Sequence, residues 1–110
     1  MTEKEKKFLS DISNSIELIE SFTKDLKSFA DYQKDLKTKS AVERHLGIIG
    51  EAVNKFLRES EGNDLKSASQ IISLRNRLIH SYDNVDDSII WSILTRHLRP
   101  LKEEVARKIG

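Results

Sequence analysis

Apolar residues recur at three- and four-residue steps along this chain and nowhere alternate with period two, which is the signature of helices packed on one face. Leu9, Ile12, Ile16 and Ile19 predict a first helix ending near Phe22 or Thr23. Thr2 followed by Glu5 has the spacing of a capping box at its start. The stretch from Lys24 to Lys39 is rich in Lys and Asp and less regular; Leu26, Phe29, Tyr32 and Leu36 predict a short helix or ordered turn. A long helix follows from about Thr38 to Glu59, burying Val42, Leu46, Ile49, Val53, Phe56 and Leu57. Glu61-Gly62-Asn63-Asp64 reads as a loop with Gly62 as its stop signal. A fourth helix runs from Leu65 or Ser67 to Ser81 over Ile71, Leu74 and Leu78, and Asp83-Asn84 breaks it. Asp86 or Asp87 caps a fifth, carrying Ile89, Ile90, Ile93, Leu94 and Leu98. Pro100 removes a helical hydrogen bond and should kink or restart the last segment. The expected fold is all-α: an up-and-down bundle of four to five helices.

Composition narrows the setting. The 110 residues suffice for a single domain spanning 1–110, with one core but not two. Charged residues make up 34% of the chain and mean hydropathy is −0.52, as in soluble proteins. No apolar run approaches the roughly 20 residues needed to span a bilayer, and no apolar stretch follows Lys6-Lys7 to make a signal peptide. Without Cys there is neither disulfide nor thiolate metal site. A cytoplasmic protein with no membrane partner is expected. The formal net charge is only +1, so no global field draws nucleic acid in. That argues against a grip on long RNA but leaves room for a short segment in a local basic cleft.

The chemistry concentrates in Arg75-Asn76-Arg77-Leu78-Ile79-His80-Ser81-Tyr82. Arg holds a phosphate through paired charge-assisted hydrogen bonds, and His passes protons both ways near neutral pH. Together they suffice for RNA cleavage with no metal or cofactor, since the nucleophile can be the substrate's own 2′-hydroxyl. On a helix Asn76 and His80 share a face with Ser69 and Ser73. Arg75 and His80 stand five residues and about 140° apart. They converge on one phosphate only if the helix loosens near His80 or a second copy completes the site. Arg77 reads as a solvated helix residue or a further phosphate contact. Tyr82 reads as a base-stacking ring or as a half-buried residue closing the helix.

Glu51 interrupts the apolar segment around Ile48 and Ile49, and a carboxylate beside a buried stripe needs a cationic partner. Arg44 and Arg75 are the candidates; pairing along its own helix with Lys55 is the plain alternative. Gly47 and Gly50 suit the close approach of another helix. His45 falls on an expected exposed face, and His97 suits a helix C-terminus. The acidic run Asp83–Asp87 lacks the Gly and closing Glu of a Ca²⁺ loop, Leu94 standing in the latter's place.

The pattern Arg75-x-x-x-x-His80-x-Tyr82 resembles the signature of the HEPN ribonucleases, in particular the HepT-like toxins of bacterial toxin–antitoxin pairs. Ser40 to Ala52 is similar to that family's central helix, and Asn84-Val85-Asp86, Ile89-Ile90-Trp91 and Leu98 to Lys102 to the helix after the catalytic turn. The resemblance covers roughly Phe8 to Lys102. It implies a HEPN-type bundle, homodimeric, with both copies of the motif at one interface. It implies a metal-independent endoribonuclease toxin with Arg75, Asn76 and His80 as catalytic residues and Arg77 and Tyr82 at the substrate or modification site. The family pattern keeps Glu51, which it places behind an Arg, Arg44 or Arg75. It further implies a partner nucleotidyltransferase antitoxin that silences the toxin by transferring AMP to Tyr82. The alternative from another class is a non-catalytic HEPN subunit that binds a nucleotidyltransferase or nucleotide.

Overall fold

Thr2 opens the first helix by accepting from the Glu5 backbone N–H at 3.1 Å, and its own hydroxyl lies 3.2 Å from the Glu5 carboxylate. That helix, α1, spans Glu3–Thr23 of a computed structural model that describes residues 1–60, 62–80 and 86–110, with Ile79 and His80 described by backbone alone. After it come α2 (Phe29–Lys34), α3 (Leu36–Glu59), a 3₁₀ turn (Lys66–Ala68) leading into α4 (Ser69–His80), α5 (Asp87–Arg96) and α6 (Leu98–Ile109). There is no strand among the described residues.

The core is the expected one. Leu9, Ile12, Ile16 and Ile19 of α1 face Val42, Leu46, Ile49, Val53 and Phe56 of α3, all essentially inaccessible to water. Each such side chain contributes about 1.5–3 kcal/mol of burial free energy, so this pair of long helices carries most of the fold. The two run antiparallel. Lys4 reaches Glu59 at one end (3.1 Å), and the Phe22 ring packs at a tilt against His45 toward the other (5.5 Å between ring centroids). α6 returns along α1, with Lys102 Nζ 2.7 Å from Glu20, and Ile71 and Leu74 of α4 close the core beside α3.

Where boundaries differ from the sequence pattern, a side chain or an imino acid is responsible. α3 starts at Leu36 rather than Thr38, because Asp35 accepts from the Thr38 N–H (3.1 Å) and serves as its cap. α4 opens as a 3₁₀ turn because Glu104 of α6 takes the Lys66 and Ser67 N–H groups, each at 2.9 Å. Burial pushes the Glu104 carboxyl up, but these backbone hydrogen bonds outweigh it and hold it below its ordinary value. Among the described residues there are six α-helices, where four to five are expected. The Lys24–Lys39 stretch yields a true helix capped by Ser28, and the expected last helix divides at His97. Pro100 has no N–H for the Arg96 carbonyl, so α5 stops there and Leu98 begins α6. Asp86, rather than Asp87, caps α5 by accepting from Ser88 N–H at 2.9 Å. Gly62 sits past α3 with φ of 79°, a conformation that favours glycine. Leu57 and Leu78 are only partly buried, against the rim of the core. The break assigned to Asp83-Asn84 lies outside the described residues, as do Ser81, Tyr82 and Glu61. Among the described residues no helix is long and apolar enough to cross a membrane.

Candidate active site

α3 and α4 meet at a glycine. A Cβ built on Gly50 would lie 2.6 Å from Arg75 Cβ, 2.9 Å from its Cγ and 3.0 Å from its Cδ, closer than real side chains approach. Hydrogen at this position is therefore what lets the Arg75 stem lie flat across the α3 backbone. Gly47, the other glycine expected to admit a helix, has open space around its missing side chain.

The next residue, Glu51, receives the guanidinium: Arg75 Nη2 donates to Glu51 Oε2 in a tight ion pair. The other carboxylate oxygen of Glu51 lies 3.9 Å from Lys55 Nζ, one turn along α3. Glu51 thus has a cation from α4 and another from its own helix, with Arg75 the nearer. Arg44, the third candidate, is exposed two turns back and makes no ion pair among the described residues. It lines another cleft, of about 340 Å³, whose walls also include Glu51 and Lys55.

Arg75 is largely covered yet still reaches a cleft of about 320 Å³ between α3 and α4, which it lines with Glu51, Asn54, Leu57 and Arg58. Its side chain is 23% exposed, against 40% for Glu51. A guanidinium has five N–H donors in a fixed plane, and Glu51 engages one edge of it. A fixed cation with spare donors at a solvent-open cleft has the chemistry to hold an anion such as a phosphodiester.

Asn76 and Arg77 follow on α4 and are exposed. His80 is the last residue of α4, which stays α-helical up to it. The loosening that would bring His80 round to Arg75 within one chain is therefore not found before His80. The ideal offset, about 140° and 7.5 Å of rise, applies. The side chain of His80, and all of Tyr82, lie outside the described residues.

The two remaining histidines sit elsewhere. His45, expected on an exposed face, is half-buried: its ring lies against Phe22, and its Nδ1 is 3.4 Å from Ser15 Oγ. The α1–α3 contact is wider than the apolar stripe alone predicts, so it covers this flanking position. His97 is half-buried at the C-cap of α5, where its backbone N–H donates to the Ile93 carbonyl.

A second polar group gathers where α2, α3 and α5 meet. Tyr32 is fully buried, and its hydroxyl has no hydrogen-bond partner among the described residues. Burial, reinforced by Glu43 and Asp87, pushes its pKa far above that of a free phenol. Burial also raises the Glu43 carboxyl, with Asp87 adding to the shift and Lys39 opposing it. Lys39 is tied to Asp87 at 2.8 Å.

Asn54, Leu57 and Arg58 do not stand out by residue type. Their spacing from Glu51, at three, six and seven residues, is the signal that puts them along one side of α3.

A family model described as ribonuclease HepT-like matches residues 12–107. A probable ribonuclease HepT of Thermococcus cleftensis is 36% identical over 108 residues, covering 93% of each chain. Two proteins of Methanocaldococcus jannaschii with provisional RNase names are also similar. One is 37% identical over 106 residues, covering 91% of this chain and 92% of its own. The other is 40% identical over 89 residues, covering 79% and 72%. No solved structure gives a significant match.

Proposed function

Since this chain belongs to the HepT-like ribonuclease family, we propose that it is a metal-independent endoribonuclease acting as the toxin of a toxin–antitoxin pair. The observation that carries the reading is the Arg75 guanidinium, seated on Gly50 and braced by Glu51 at the mouth of an open cleft. Bracing by a carboxylate fixes the cation before substrate arrives, and such preorganisation is what makes electrostatic stabilisation effective.

His80 takes the proton of a substrate 2′-hydroxyl, and the 2′-oxygen attacks the adjacent phosphorus. The new 2′-O–P bond forms as the P–5′-O bond breaks. The departing 5′-oxygen receives a proton from His80 of the partner subunit or from water, leaving a 2′,3′-cyclic phosphate and a free 5′-hydroxyl. Arg75 balances the charge that grows on the non-bridging oxygens, and Asn76 orients the imidazole or the substrate. A homodimer with the motif at its interface suits the unbroken helix. Two copies supply the acid and base that one straight α4 holds about 140° from its Arg. Silencing follows if a partner nucleotidyltransferase attaches AMP to Tyr82: the phenol oxygen attacks the α-phosphorus of ATP and pyrophosphate leaves. The added phosphate repels RNA from the cleft.

The test is incubation of the purified protein with RNA in excess EDTA. Cleavage with 2′,3′-cyclic ends, lost in His80→Ala, is expected. Cleavage that requires added Mg²⁺, or that survives in His80→Ala, overturns the mechanism. RNA left intact while the protein binds a nucleotidyltransferase points to the non-catalytic subunit instead.

A further inference from the structure

The cleft does not end at Arg75. Arg58 lines it together with Asn54 and Leu57, and also borders a second depression of about 550 Å³ on the other side, shared with Lys4 and Lys55. Arg58 and Lys55 are exposed, and among the described residues the one carboxylate lining the Arg75 cleft is Glu51, already held between Arg75 and Lys55. Lys4 is taken up by Glu59 at 3.1 Å. No carboxylate pairs with Arg58 among the described residues.

We propose that Arg58, with Asn54 and Lys55, forms a second phosphate subsite, so that the ligand of this face is a single-stranded RNA segment lying along α3 past Arg75 and then Arg58. The inference rests on the ribonuclease reading and extends it to a substrate path. Positions 51 and 58 stand about 10 Å apart along the α3 axis. A strand lying in the cleft therefore passes the Arg75 guanidinium, fixed at Glu51, and the Arg58 guanidinium in succession. Asn54, between them on the same side, offers both donor and acceptor to a sugar hydroxyl or base edge. Leu57 gives the cleft one apolar wall for a base face. The chemistry also favours an unpaired strand, because a 2′-oxygen must swing into line with the leaving 5′-oxygen and A-form pairing holds it out of line. A local track of this kind accounts for nucleic-acid binding by a chain whose net charge is only +1.

The deciding experiment measures binding of a short unpaired RNA, 2′-O-methylated so that it cannot be cleaved, to the full chain between 50 and 200 mM salt. Wild type is compared with Arg58→Gln, Arg58→Lys, Arg75→Gln and Lys24→Gln. Lys24 lies just past α1, at the opposite end of the α1–α3 pair. Removing one cation that neutralises a phosphate makes the slope of log K against log salt shallower by about 0.7 and weakens binding about fourfold at 0.15 M salt. Arg58→Gln shows both changes, Arg58→Lys restores wild-type behaviour, and Lys24→Gln matches wild type. With a cleavable RNA, Arg58→Gln raises KM while leaving kcat in place, as loss of uniform binding does. An unchanged slope in Arg58→Gln beside a reduced one in Arg75→Gln overturns the second subsite and leaves the ribonuclease reading standing. Equal losses in Arg58→Gln and Lys24→Gln overturn it as well, since binding is then not localised. Failure of the wild type both to bind and to cleave removes the ribonuclease reading and this inference with it.

Discussion

α3 packs most extensively against α1 and α4, and meets the two in opposite ways. Toward α1 it presents Val42, Leu46, Ile49, Val53 and Phe56, a continuous apolar ridge from which water is excluded. Toward α4 it presents a glycine and a carboxylate, and what α4 lays on them is the stem and guanidinium of Arg75. The first contact is stabilised by burial. The second uses the same helix to hold a largely covered charged side chain in one place, beside the buried Ile71 and Leu74 of α4. On an ideal helix Gly50 lies about 80° and Glu51 about 180° round from the centre of that ridge, so substitutions on each side should separate stability from the proposed function.

The largest separation is expected at the motif itself. His80→Ala and Arg75→Ala should lower single-turnover RNA cleavage by about 10²–10⁴-fold and about 10²–10³-fold respectively. Thermal unfolding of Arg75→Ala should stay near that of wild type, since Arg75 lies outside the buried core, and the same is expected of His80→Ala. Leu46→Ala reverses the pattern. Removing that fully buried side chain should cost about 2–5 kcal/mol in denaturant unfolding, while the cleavage rate of the folded fraction stays close to wild type.

Gly50→Ala tests the seam between the two. In an ordinary helix interior this change stabilises by about 1 kcal/mol. Here the new methyl meets Arg75 Cβ, which is fixed to the α4 backbone and cannot swing away. α3 and α4 must part, and a displacement near 1 Å can cost up to about 10²-fold in rate. A fall of tenfold or more in cleavage, with unfolding changed by less than about 2 kcal/mol, is the expected signature. Stabilisation with full activity would show that the close approach does not matter.

The smallest effect lies away from both contacts, at Glu104. Its carboxyl is held below its ordinary value in the folded state. Its contribution is therefore present above the unfolded-state pKa and is lost as pH falls through the lower, folded value. Melting temperature should decline on acidification through the carboxylate range. Glu104→Gln, which keeps one acceptor oxygen, should flatten that decline and cost about 1 kcal/mol at neutral pH.

How legible these features are in the sequence follows the same division. The α1–α3 contact is a matter of periodicity, so Ile12, Ile16, Leu46 and Val53 announce themselves, as does the cap at Thr2, whereas the pattern leaves Asp86 and Asp87 open as the cap of α5. The start of α4 does not, because the carboxylate that shapes it comes from Glu104, 37 residues away from Ser67. His45 escapes the pattern because a stripe of apolar residues marks the centre of a contact and not its margin. At the site, the residue types point to Arg75, but Arg44, Lys55 and Arg75 are equally plausible cations for Glu51. What distinguishes them is the glycine that precedes Glu51, and its meaning appears only once a second helix is laid across it. Arg58 is invisible by type, being one of 19 Lys and Arg residues; only its place in the cleft singles it out.

The central claim is that Arg75, seated on Gly50 and braced by Glu51, is the phosphate-stabilising group of a metal-free ribonuclease. Its most direct test is the single-turnover rate of RNA cleavage in excess EDTA for wild type and Arg75→Ala, with melting temperatures measured on the same preparations. The account predicts cleavage by the wild type and a rate about 10²–10³-fold lower for Arg75→Ala at a nearly unchanged melting temperature. Equal rates for the two proteins, or a loss of activity that merely follows a loss of folding, would contradict it.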